Sequence, residues 1–532
     1  MMGKAPKVSL QRPGTKDIVM IECSESESIL KAMVKQEILY RSDCDGRGTC
    51  GKCRIRLITG KLDITIQDKK IFTPNELKQG FRLSCQAYPR EDCEVLLLSE
   101  DETNYDIISE NRIIQSDSED LVEAGRNKLE DKYIIGIDLG TTTLAVSLVN
   151  APSKKILRTY TAINNQRIYG LDVISRMKAS NEGKRELLRD IIRKNLLDGI
   201  QAVIAKEGIE YHDLIKIVIT GNTTMGHLLL GYSCETLGVF PFTPIDTQMI
   251  TMKFSEIFSI DRKGFESLEN IPIIIMPGIS TFVGGDIVAG LFACGFDFND
   301  KPSILIDLGT NGEMAIGCKD SILVTSTAAG PAFEGGNISG GVGSIAGAIS
   351  HVSIESNKIN YQTIGDKDPI GICGTGVVEI VSELFKEDII DETGLLTPEY
   401  FEEGYIITDS IRFTQKDIRE LQLAKAAVRA GVEILTSCYG TTYEQIDTVY
   451  LAGGFGYRID LEKAIHIGLL PEGFRGKIIS VGNSALAGAI KYGTEDASKE
   501  RINHILSVSK EIYLSNQQDF NNLYMEYMYL VK

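Results

Sequence analysis

The sequence predicts two different folds in one chain: a small α+β domain at the N-terminus and a larger, duplicated α/β domain after it. Three observations support this division. Four cysteines form a motif between residues 44 and 85, an apolar strand pattern ending in a Gly-Thr turn occurs twice, and a strongly acidic segment lies between the two parts. We expect boundaries at residues 1–99, 100–132 and 133–532, with lobes of about 133–300 and 301–532 in the larger domain.

The N-terminal region alternates between strand and helix patterns. Val8–Leu10 and Ile18–Glu22 read as a hairpin, and Ser24–Glu37 has helical spacing with serine and acidic residues in its first turn. Further strands are expected at Arg54–Ile58 and Glu94–Leu98. Strand, strand, helix, cysteine loop and strand is the element order of a β-grasp ferredoxin.

Residues 100–132 contain eleven acidic and four basic side chains and few apolar anchors. This composition is typical of an exposed linker. The segment is expected to act either as a spacer or as a tether that lets the first domain swing between partners.

The duplication lies in the larger domain. The strands of its first hairpin are expected at Tyr133–Leu139 and Ala145–Val149, and the same pattern returns at Ile304–Asp307 and Glu313–Ile316. Two related α/β lobes with a nucleotide cleft between them are therefore expected.

Three further elements of this domain are predicted. Leu187–Glu207 has helical spacing, Ile215–Thr220 is a short buried strand, and Lys499–Lys532 is expected to form a helix plus a terminal strand.

The composition excludes several classes of protein. A net charge of −17 disfavours nucleic acid and acidic membrane surfaces as partners. No run approaches the roughly 20 apolar residues of a membrane span, and the start lacks the apolar core of a signal peptide. We therefore expect a cytoplasmic protein.

The cysteines divide into a motif and a scattered set. Such residues form disulfides mainly in short secreted chains, so we expect the scattered set to be buried thiols. Its members are Cys23, Cys93, Cys234, Cys294, Cys318, Cys373 and Cys438.

The motif is Cys44, Cys50 and Cys53, with gaps of five and two residues, followed later by Cys85. It resembles the cluster motif of [2Fe–2S] ferredoxins, and the gap of five is similar to the adrenodoxin-type variant. The resemblance implies that these four thiolates bind the cluster. Gly46, Gly48 and Gly51 are expected to supply positive φ angles, which leave backbone N–H groups free for the sulfurs. The alternatives are a zinc site and a structural thiol cluster, although only Cys50 and Cys53 have zinc-knuckle spacing.

The two hairpin turns, Gly136–Thr143 and Ile306–Glu313, share the sequence Asp-Leu-Gly-Thr. They resemble the two phosphate loops of the acetate and sugar kinase, heat-shock chaperone and actin (ASKHA) superfamily, which has a ribonuclease H-like fold. The resemblance implies ATP with Mg²⁺ held by Asp138 and Asp307. The phosphate contacts it implies are Gly140, Thr141, Thr142, Thr143, Gly309, Thr310, Asn311 and Gly312.

Three more motifs follow the superfamily order. Gly284–Leu291 matches the first connecting helix, where Asp286 corresponds to the residue that orients the attacking water. Tyr450–Gly456 resembles the adenosine motif, and Asn483–Ala489 resembles the second connecting helix. Nucleoside contacts are implied for Gly453, Gly454 and Gly456. The alternative is that these glycines only form tight turns.

Some residues keep two interpretations. Glu313, in the second hairpin, is either partner-facing or structural. Three glycine-rich stretches either line the cleft or a docking face, or reflect close backbone packing; they are Thr220–Met225, Ala328–Gly336 and Gly371–Gly376.

The cysteine motif joined to the ATPase motifs resembles the reductive activators of corrinoid proteins over nearly the whole chain. Gly-Asn-Thr-Thr-Met, Ala-Gly-Pro-Ala-Phe-Glu-Gly and Cys-Gly-Thr-Gly add to the resemblance. It implies ATP-dependent reduction of a Co(II) corrinoid to Co(I) in a methyltransferase system. It also implies an upstream low-potential electron donor and a homodimer.

Two departures and two alternatives accompany the resemblance. Because the acidic segment runs almost directly into the first hairpin, little room is expected for the middle domain of longer relatives. No 4Fe–4S motif like that of archaeal methylamine-pathway activators follows Cys438. The alternatives are an activator of a 2-hydroxyacyl-CoA dehydratase or aryl-CoA reductase, and a small-molecule kinase regulated by its cluster.

Overall fold

The computed structural model describes residues 5–11, 18–24, 26–36, 38, 40, 46, 48, 51–98, 132–258, 265–355, 358–456 and 458–531. Cys44, Cys50 and the predicted linker up to residue 131 lie outside the described residues. The chain divides into two compact units. One comprises Met1–Thr103 with Asn165–Ala179, and the other comprises Asn104–Asn164 with Ser180–Lys532.

The first unit contains a five-stranded sheet in the order β2-β1-β5-β3-β4. Strands β1 and β2 form the predicted antiparallel hairpin, while β5 lies parallel to β1 and antiparallel to β3. The strands are β1 (Lys7–Gln11), β2 (Ile18–Glu22), β3 (Arg54–Thr59), β4 (Phe81–Leu83) and β5 (Cys93–Leu97). This topology confirms the predicted ferredoxin-like α+β fold.

The helices of the first unit differ from the prediction. The helix expected at Ser24–Glu37 covers only Ile29–Lys35, because Ser28 is its N-cap and accepts from the N–H of Lys31. Two short helices were not predicted, Ile66–Ile71 and Pro74–Lys78, although each begins with a capping box. Helix Val173–Ala179 also belongs to this unit.

The second unit is built on two six-stranded sheets, ordered β10-β11-β9-β6-β7-β8 and β21-β20-β12-β13-β14-β22. The strands of the first sheet are β6 (Tyr133–Leu139), β7 (Thr143–Asn150), β8 (Lys155–Ile163), β9 (Leu214–Gly221), β10 (Ile250–Lys253) and β11 (Pro272–Ile275). Those of the second are β12 (Ser303–Leu308), β13 (Gly312–Cys318), β14 (Ser321–Thr327), β20 (Val449–Ala452), β21 (Ile478–Gly482) and β22 (Ser509–Glu511).

Five strands of each sheet repeat one topology, which confirms the predicted duplication; the sixth strand, β10 or β22, lies at a different edge in each sheet. In each, a central strand pairs antiparallel with its hairpin partner and parallel with a later strand: β6 with β7 and β9, and β12 with β13 and β20. Each central strand is almost wholly buried, as its apolar run requires. Equivalent ends of the two hairpins can therefore face a common ligand.

The second half of this unit contains an additional layer between β14 and β20. Among the described residues, the first half has no equivalent of this layer. The strands of the layer are β15 (Ala348–Glu355), β16 (Lys358–Thr363), β17 (Gly371–Ile372), β18 (Tyr405–Ile406) and β19 (Arg412–Phe413). Helices Gly374–Lys386 and Gln415–Tyr439 pack with them into one apolar core.

The remaining helices of this unit are Arg185–Glu207, Thr223–Leu230, Phe254–Ile257, Gly285–Ala293, Gly453–Gly456, Leu461–His466, Ser484–Thr494, Ser498–Val508 and Phe520–Glu526. Helices Gly285–Ala293 and Ser484–Thr494 are the predicted connecting helices. A Cβ on Gly488 would lie 2.1 Å from the carbonyl oxygen of Ala289, so their backbones touch.

The C-terminal prediction is wrong in one respect. The predicted strand exists as β22, but it is not terminal, because helix Phe520–Glu526 follows it. The last residues are held by helix Gln415–Tyr439: Lys425 donates to the carbonyls of Tyr527 and Tyr529 at 2.6 and 2.7 Å.

Within the part of the chain that the structure describes, none of the helices combines the length and apolar character needed to cross a membrane.

Candidate functional site

The described half of the cysteine motif lies at neighbouring strand ends. Strand β3 starts directly after Cys53, and β4 ends two residues before Cys85. The N–H of Ser84 donates to the carbonyl of Cys53 at 2.8 Å, so the two cysteines are brought to one end of the same strand pair. Both are buried.

The glycines around these cysteines adopt the predicted backbone. Gly46, Gly48 and Gly51 have φ angles of 75°, 73° and 68°, which favour glycine. The side chain of Gln86 holds this loop, because its Nε2 donates to the carbonyl of Gly46 at 2.7 Å. Buried thiols beside such a loop fit an iron–sulfur cluster.

Two further cysteines of the first unit lie outside the motif. Cys23 and Cys93 lie in the apolar core of the first unit. Burial raises the pKa of Cys23 to about 12, with a smaller contribution from Glu27, and raises that of Cys93 to about 11, with a smaller contribution from Asp92. Protonated thiols are poor metal ligands, which favours the prediction that both are structural.

The scattered cysteines are not all buried. Cys234, Cys294 and Cys373 are buried as predicted, but Cys318 is partly exposed and Cys438 is exposed. Cys438 lies at the end of helix Gln415–Tyr439 on its solvent side, which the apolar sequence around it did not indicate.

The two predicted magnesium aspartates occupy equivalent positions. Asp138 is the penultimate residue of β6 and Asp307 is the penultimate residue of β12. Asp138 pairs with Ala145 across its hairpin, as Asp307 pairs with Glu313. Both carboxylates are partly exposed and lie close enough to influence each other's charge.

The second connecting helix fixes Asp138. Asn483 caps this helix by accepting from the N–H of Leu486, and its Nδ2 donates to Asp138 at 2.7 Å. One amide side chain thus orients the carboxylate and joins it to the start of helix Ser484–Thr494.

Glu334 connects the two phosphate loops. Its Oε2 accepts from Oγ1 of Thr142 at 3.2 Å and from Oγ1 of Thr310 at 2.9 Å. The N–H of Gly330 also donates to the carbonyl of Thr310. The stretch Ala328–Gly336 therefore contacts both predicted phosphate loops, and Glu334 is a candidate site residue that sequence reasoning did not assign.

Asp286 lies in the same acidic group, at the start of helix Gly285–Ala293. The five carboxylates of this group are those of Asp138, Asp286, Asp307, Glu313 and Glu334, and burial is the main cause of a raised pKa in each.

Mutual repulsion adds to burial within this acidic group. The pKa is raised to about 7 for Asp138, with Asp286 contributing, and to about 7 for Asp307, with Asp286 and Asp138 contributing. The pKa of Glu313 is raised further by Asp286 and Asp307. Crowded, partly exposed carboxylates suit a divalent cation, which would favour their charged forms.

The cation would depend on the nucleotide as well as on the protein. No group of three or more His, Cys, Asp or Glu side chains among the described residues is placed to hold a metal by itself. Mg²⁺ at nucleotide sites is usually bound by one or two carboxylates together with phosphates and water.

Asparagines hold the first phosphate loop from behind. Asn222 donates to Oγ1 of Thr141 at 2.9 Å, and Asn164 donates to the carbonyl of Gly140 at 3.0 Å. A Cβ on Gly284 would lie 2.5 Å from Cα of Asn222. The stretch Thr220–Met225 thus contacts the first predicted phosphate loop and also packs closely against Gly284.

The glycine-rich stretches also contain close packing. A Cβ on Gly374 would lie 1.8 Å from the carbonyl oxygen of Phe333, next to Glu334. The stretch Gly371–Gly376 therefore packs against the backbone next to Glu334.

The predicted adenosine glycines differ in their surroundings. Gly453 has a φ of 89°, and a Cβ there would lie 2.8 Å from Oδ1 of Asp307. Gly454 is exposed with open space around it, whereas Gly456 is buried against Leu451. Gly453 joins this motif to the second phosphate loop.

The other predicted phosphate contacts lie at the same hairpin turns. Gly312 is buried. The others are partly exposed; they are Gly140, Thr141, Thr142, Thr143, Gly309, Thr310 and Asn311.

The fold and the site define a class of protein: a ferredoxin-like unit joined to a nucleotide-binding unit of the ASKHA type. Three family profiles match this chain. Residues 16–90 match the 2Fe-2S iron-sulfur cluster binding domain, residues 133–299 match the RACo middle region, and residues 301–532 match the C-terminal domain of RACo, the ASKHA domain.

Similar individual proteins support the same class. The corrinoid activation enzyme RamQ of Eubacterium limosum is 33% identical, over 81% of this chain and 75% of that protein. The [Co(II) methylated amine-specific corrinoid protein] reductase of Methanosarcina barkeri is 28% identical, over 74% of this chain and 76% of that protein. A solved reductive activator for a corrinoid, iron-sulfur protein is 28% identical with a TM-score of 0.68, over 99% of this chain and 98% of that one.

This chain belongs to the family of reductive activators of corrinoid proteins. One expectation needs correction. The sequence was expected to leave little room for a middle domain, but residues 133–299, the predicted first lobe, match the family's middle region. The short distance between acidic segment and hairpin misled the prediction, because the middle region itself begins with that hairpin.

Proposed function

We propose that this protein uses ATP to return the Co(II) corrinoid of a methyltransferase-system protein to Co(I), relaying one electron through a [2Fe–2S] cluster. The observation that carries the proposal is the acidic group at the meeting point of two duplicated phosphate hairpins, in a chain that also folds a ferredoxin-like unit. Membership of the family supports a corrinoid as the acceptor of the electron.

In the first unit, Cys53 and Cys85 would provide two thiolates from adjacent strand ends, and Cys44 and Cys50 would complete the set. A bound cluster supplies storage for a single electron. The loop glycines leave N–H groups free to donate toward sulfur, and Gln86 fixes the loop that carries Gly46.

In the second unit, Asp138 and Asp307 would hold Mg²⁺ from opposite hairpins. Thr142 and Thr310 are positioned as donors, because their hydroxyls already point at the shared oxygen of Glu334. Phosphate oxygens would replace that carboxylate as their acceptor. Asp286 or Glu334 would then orient the attacking water.

Coupling between the units follows from energetics. Co(I) is a very strong reductant, so equilibrium with an ordinary donor leaves the cobalt as Co(II). A ligand shifts an equilibrium only by its difference in affinity for the two states. ATP and the corrinoid protein must therefore both distinguish between conformations of the nucleotide-binding unit.

We also propose that a low-potential donor reduces the cluster, that the protein acts in the cytoplasm, where thiols stay reduced, and that it is a homodimer. The family resemblance supports the donor and the dimer. Sedimentation of the holoprotein at micromolar concentration checks the dimer.

ATP hydrolysis tests the function. A purified Co(II) corrinoid protein should stimulate hydrolysis several-fold, whereas the same protein with methylated cobalt should not. The competing functions give other results: a 2-hydroxyacyl-CoA dehydratase component would stimulate an activator of that class, and a small molecule would be phosphorylated by a kinase. Stimulation by neither cobalt form would contradict the proposal.

A further inference from the structure

An exposed row of aromatic side chains lies on the second unit. Phe240, Phe242, Phe282 and Tyr513 follow one another, with ring centroids 6.0, 5.4 and 6.4 Å apart. Phe240 is 82% exposed, Phe282 40% and Tyr513 44%. Aromatic residues are enriched at protein interfaces and dominate their binding energy.

The backbone of this row is held in one conformation. The N–H of Phe242 donates to the carbonyl of Val239 at 2.8 Å, and Thr243 and Thr236 bond to each other twice. Phe242 has a φ of 57°, which is costly for a bulky residue. Such strain persists only where the surroundings impose it and often marks functional positions. The loop therefore holds Phe240 in an exposed position.

The row is connected to the first phosphate loop. Thr281 donates to the carbonyl of Phe242, and the preceding residue, Ser280, accepts through its carbonyl from Oγ1 of Thr223 at 2.6 Å. Thr223 follows Asn222, whose side chain donates to Thr141 of the phosphate loop. A short chain of hydrogen bonds thus links the aromatic row to the nucleotide site.

The row also spans both halves of the unit. Phe282 precedes the first connecting helix, whereas Tyr513 follows β22 of the second sheet. Burial raises the pKa of Glu511 in β22, and the hydroxyls of Tyr513 and Ser280 lie close enough to oppose that rise. A movement of one half against the other would change the Phe282–Tyr513 contact.

We propose that this aromatic row is the surface on which the Co(II) corrinoid protein docks, and that bound nucleotide sets its shape. This inference rests on the proposed function. The hydrogen bonds between the row and the predicted phosphate loop give bound nucleotide a route to this surface, which a permanent contact between subunits would not need. A partner recognised only in one nucleotide state fits it better.

Phe240→Ser tests the surface, and Phe401→Ser, which changes another exposed phenylalanine (43% exposed), is the matched control. The probe is a purified Co(II) corrinoid protein that binds the wild-type holoprotein. The dissociation constant for this probe should rise about tenfold or more in the Phe240 variant, while the control stays within twofold of wild type. ATP affinity, measured alongside, checks the fold.

Tyr513→Ala tests the coupling. ATP should change the affinity of the wild type for the probe by a measurable factor, and this factor should shrink in the variant, because allosteric coupling is a free energy shared by the two sites.

The possible failures are distinct. If the wild type binds no Co(II) corrinoid protein, the proposed function fails, and this inference falls with it. If the wild type binds and Phe240→Ser binds equally well, the docking surface alone is wrong. Conversion of a dimer into monomers by Phe240→Ser would show instead that the row joins two copies of this chain.

Discussion

Thr142 and Glu334, 192 positions apart in the chain, are joined by a hydrogen bond of 3.2 Å between Oγ1 and Oε2. The same oxygen accepts from Thr310. One carboxylate therefore joins the two predicted phosphate loops, and we expect bound phosphates to replace it at both hydroxyls. This makes Glu334 a rival to Asp286 for positioning the attacking water.

Glu334→Gln and Asp286→Asn separate the two candidates. The variant that loses the water-orienting carboxylate should hydrolyse ATP about 100-fold more slowly, while its affinity for ATP changes by less than tenfold. We expect the larger loss for Glu334→Gln, since Glu334 contacts both loops directly. Equal turnover in Glu334→Gln and wild type would remove Glu334 from the chemistry.

Asp307→Asn tests magnesium binding. Loss of a carboxylate ligand should lower ATP turnover about 100-fold or more and raise the Mg²⁺ concentration that gives half-maximal rate. Asp138→Asn should act in the same direction, because the two residues occupy equivalent hairpin positions. Full turnover at unchanged Mg²⁺ demand in both variants would refute their assignment.

Gly453→Ala and Gly454→Ala form a matched pair. A Cβ on Gly453 would press on Asp307 and on the carbonyl of Leu308, at 2.8 and 2.6 Å, whereas one on Gly454 meets open space. Gly453→Ala should lower the free energy of unfolding by about 1–3 kcal/mol and weaken ATP binding. Gly454→Ala should leave thermal unfolding unchanged. If it still weakens ATP binding, Gly454 contacts the nucleoside.

The electron and nucleotide halves should be separable. Cys50→Ser should abolish corrinoid reduction from a natural donor yet retain ATP binding, because the described nucleotide site contains no residue before Tyr133. Cys23→Ser and Cys93→Ser should leave the cluster's EPR signal intact, since neither cysteine belongs to the predicted cluster motif. Zinc or a four-iron spectrum in the wild type would contradict the cluster assignment.

Lys425 predicts a pH dependence of stability. Burial lowers its pKa from 10.5 to about 7, with Arg429 adding to the effect. Between about pH 7 and 10.5 the unfolded chain then binds more protons at this position, so its contribution to the unfolding free energy rises with pH. Subtracting the unfolding profile of Lys425→Met from that of wild type should show this rise, and a flat difference would refute it.

Much of the fold could be predicted from local sequence patterns. The central strands β6 and β12 could be predicted because an apolar run ending in Asp-Leu-Gly-Thr is a local signal. The helices at Ile66–Ile71 and Pro74–Lys78 were missed even though their capping boxes, Thr65 with Asp68 and Thr73 with Glu76, are visible in the sequence. Their few apolar residues gave no periodicity to detect.

The candidate site was harder to predict from the sequence, because the residues that contact each other there are far apart in the chain. Glu334 lies in a glycine-rich stretch that could equally have been close packing, and only the fold brings it to Thr142. Asn483 is similar: its motif was predicted, but its bond to Asp138 joins residues 345 positions apart. No local pattern encodes such pairs.

Co(I) yield with and without ATP tests the central claim most directly. The holoprotein, a reductant that reduces its cluster and a Co(II) corrinoid protein are mixed, and Co(I) is read optically. Co(I) should accumulate in the wild type only when ATP is present, and Asp307→Asn should fail in parallel with its lost turnover while its cluster is still reduced by dithionite. Equal Co(I) formation without nucleotide would contradict the coupled mechanism.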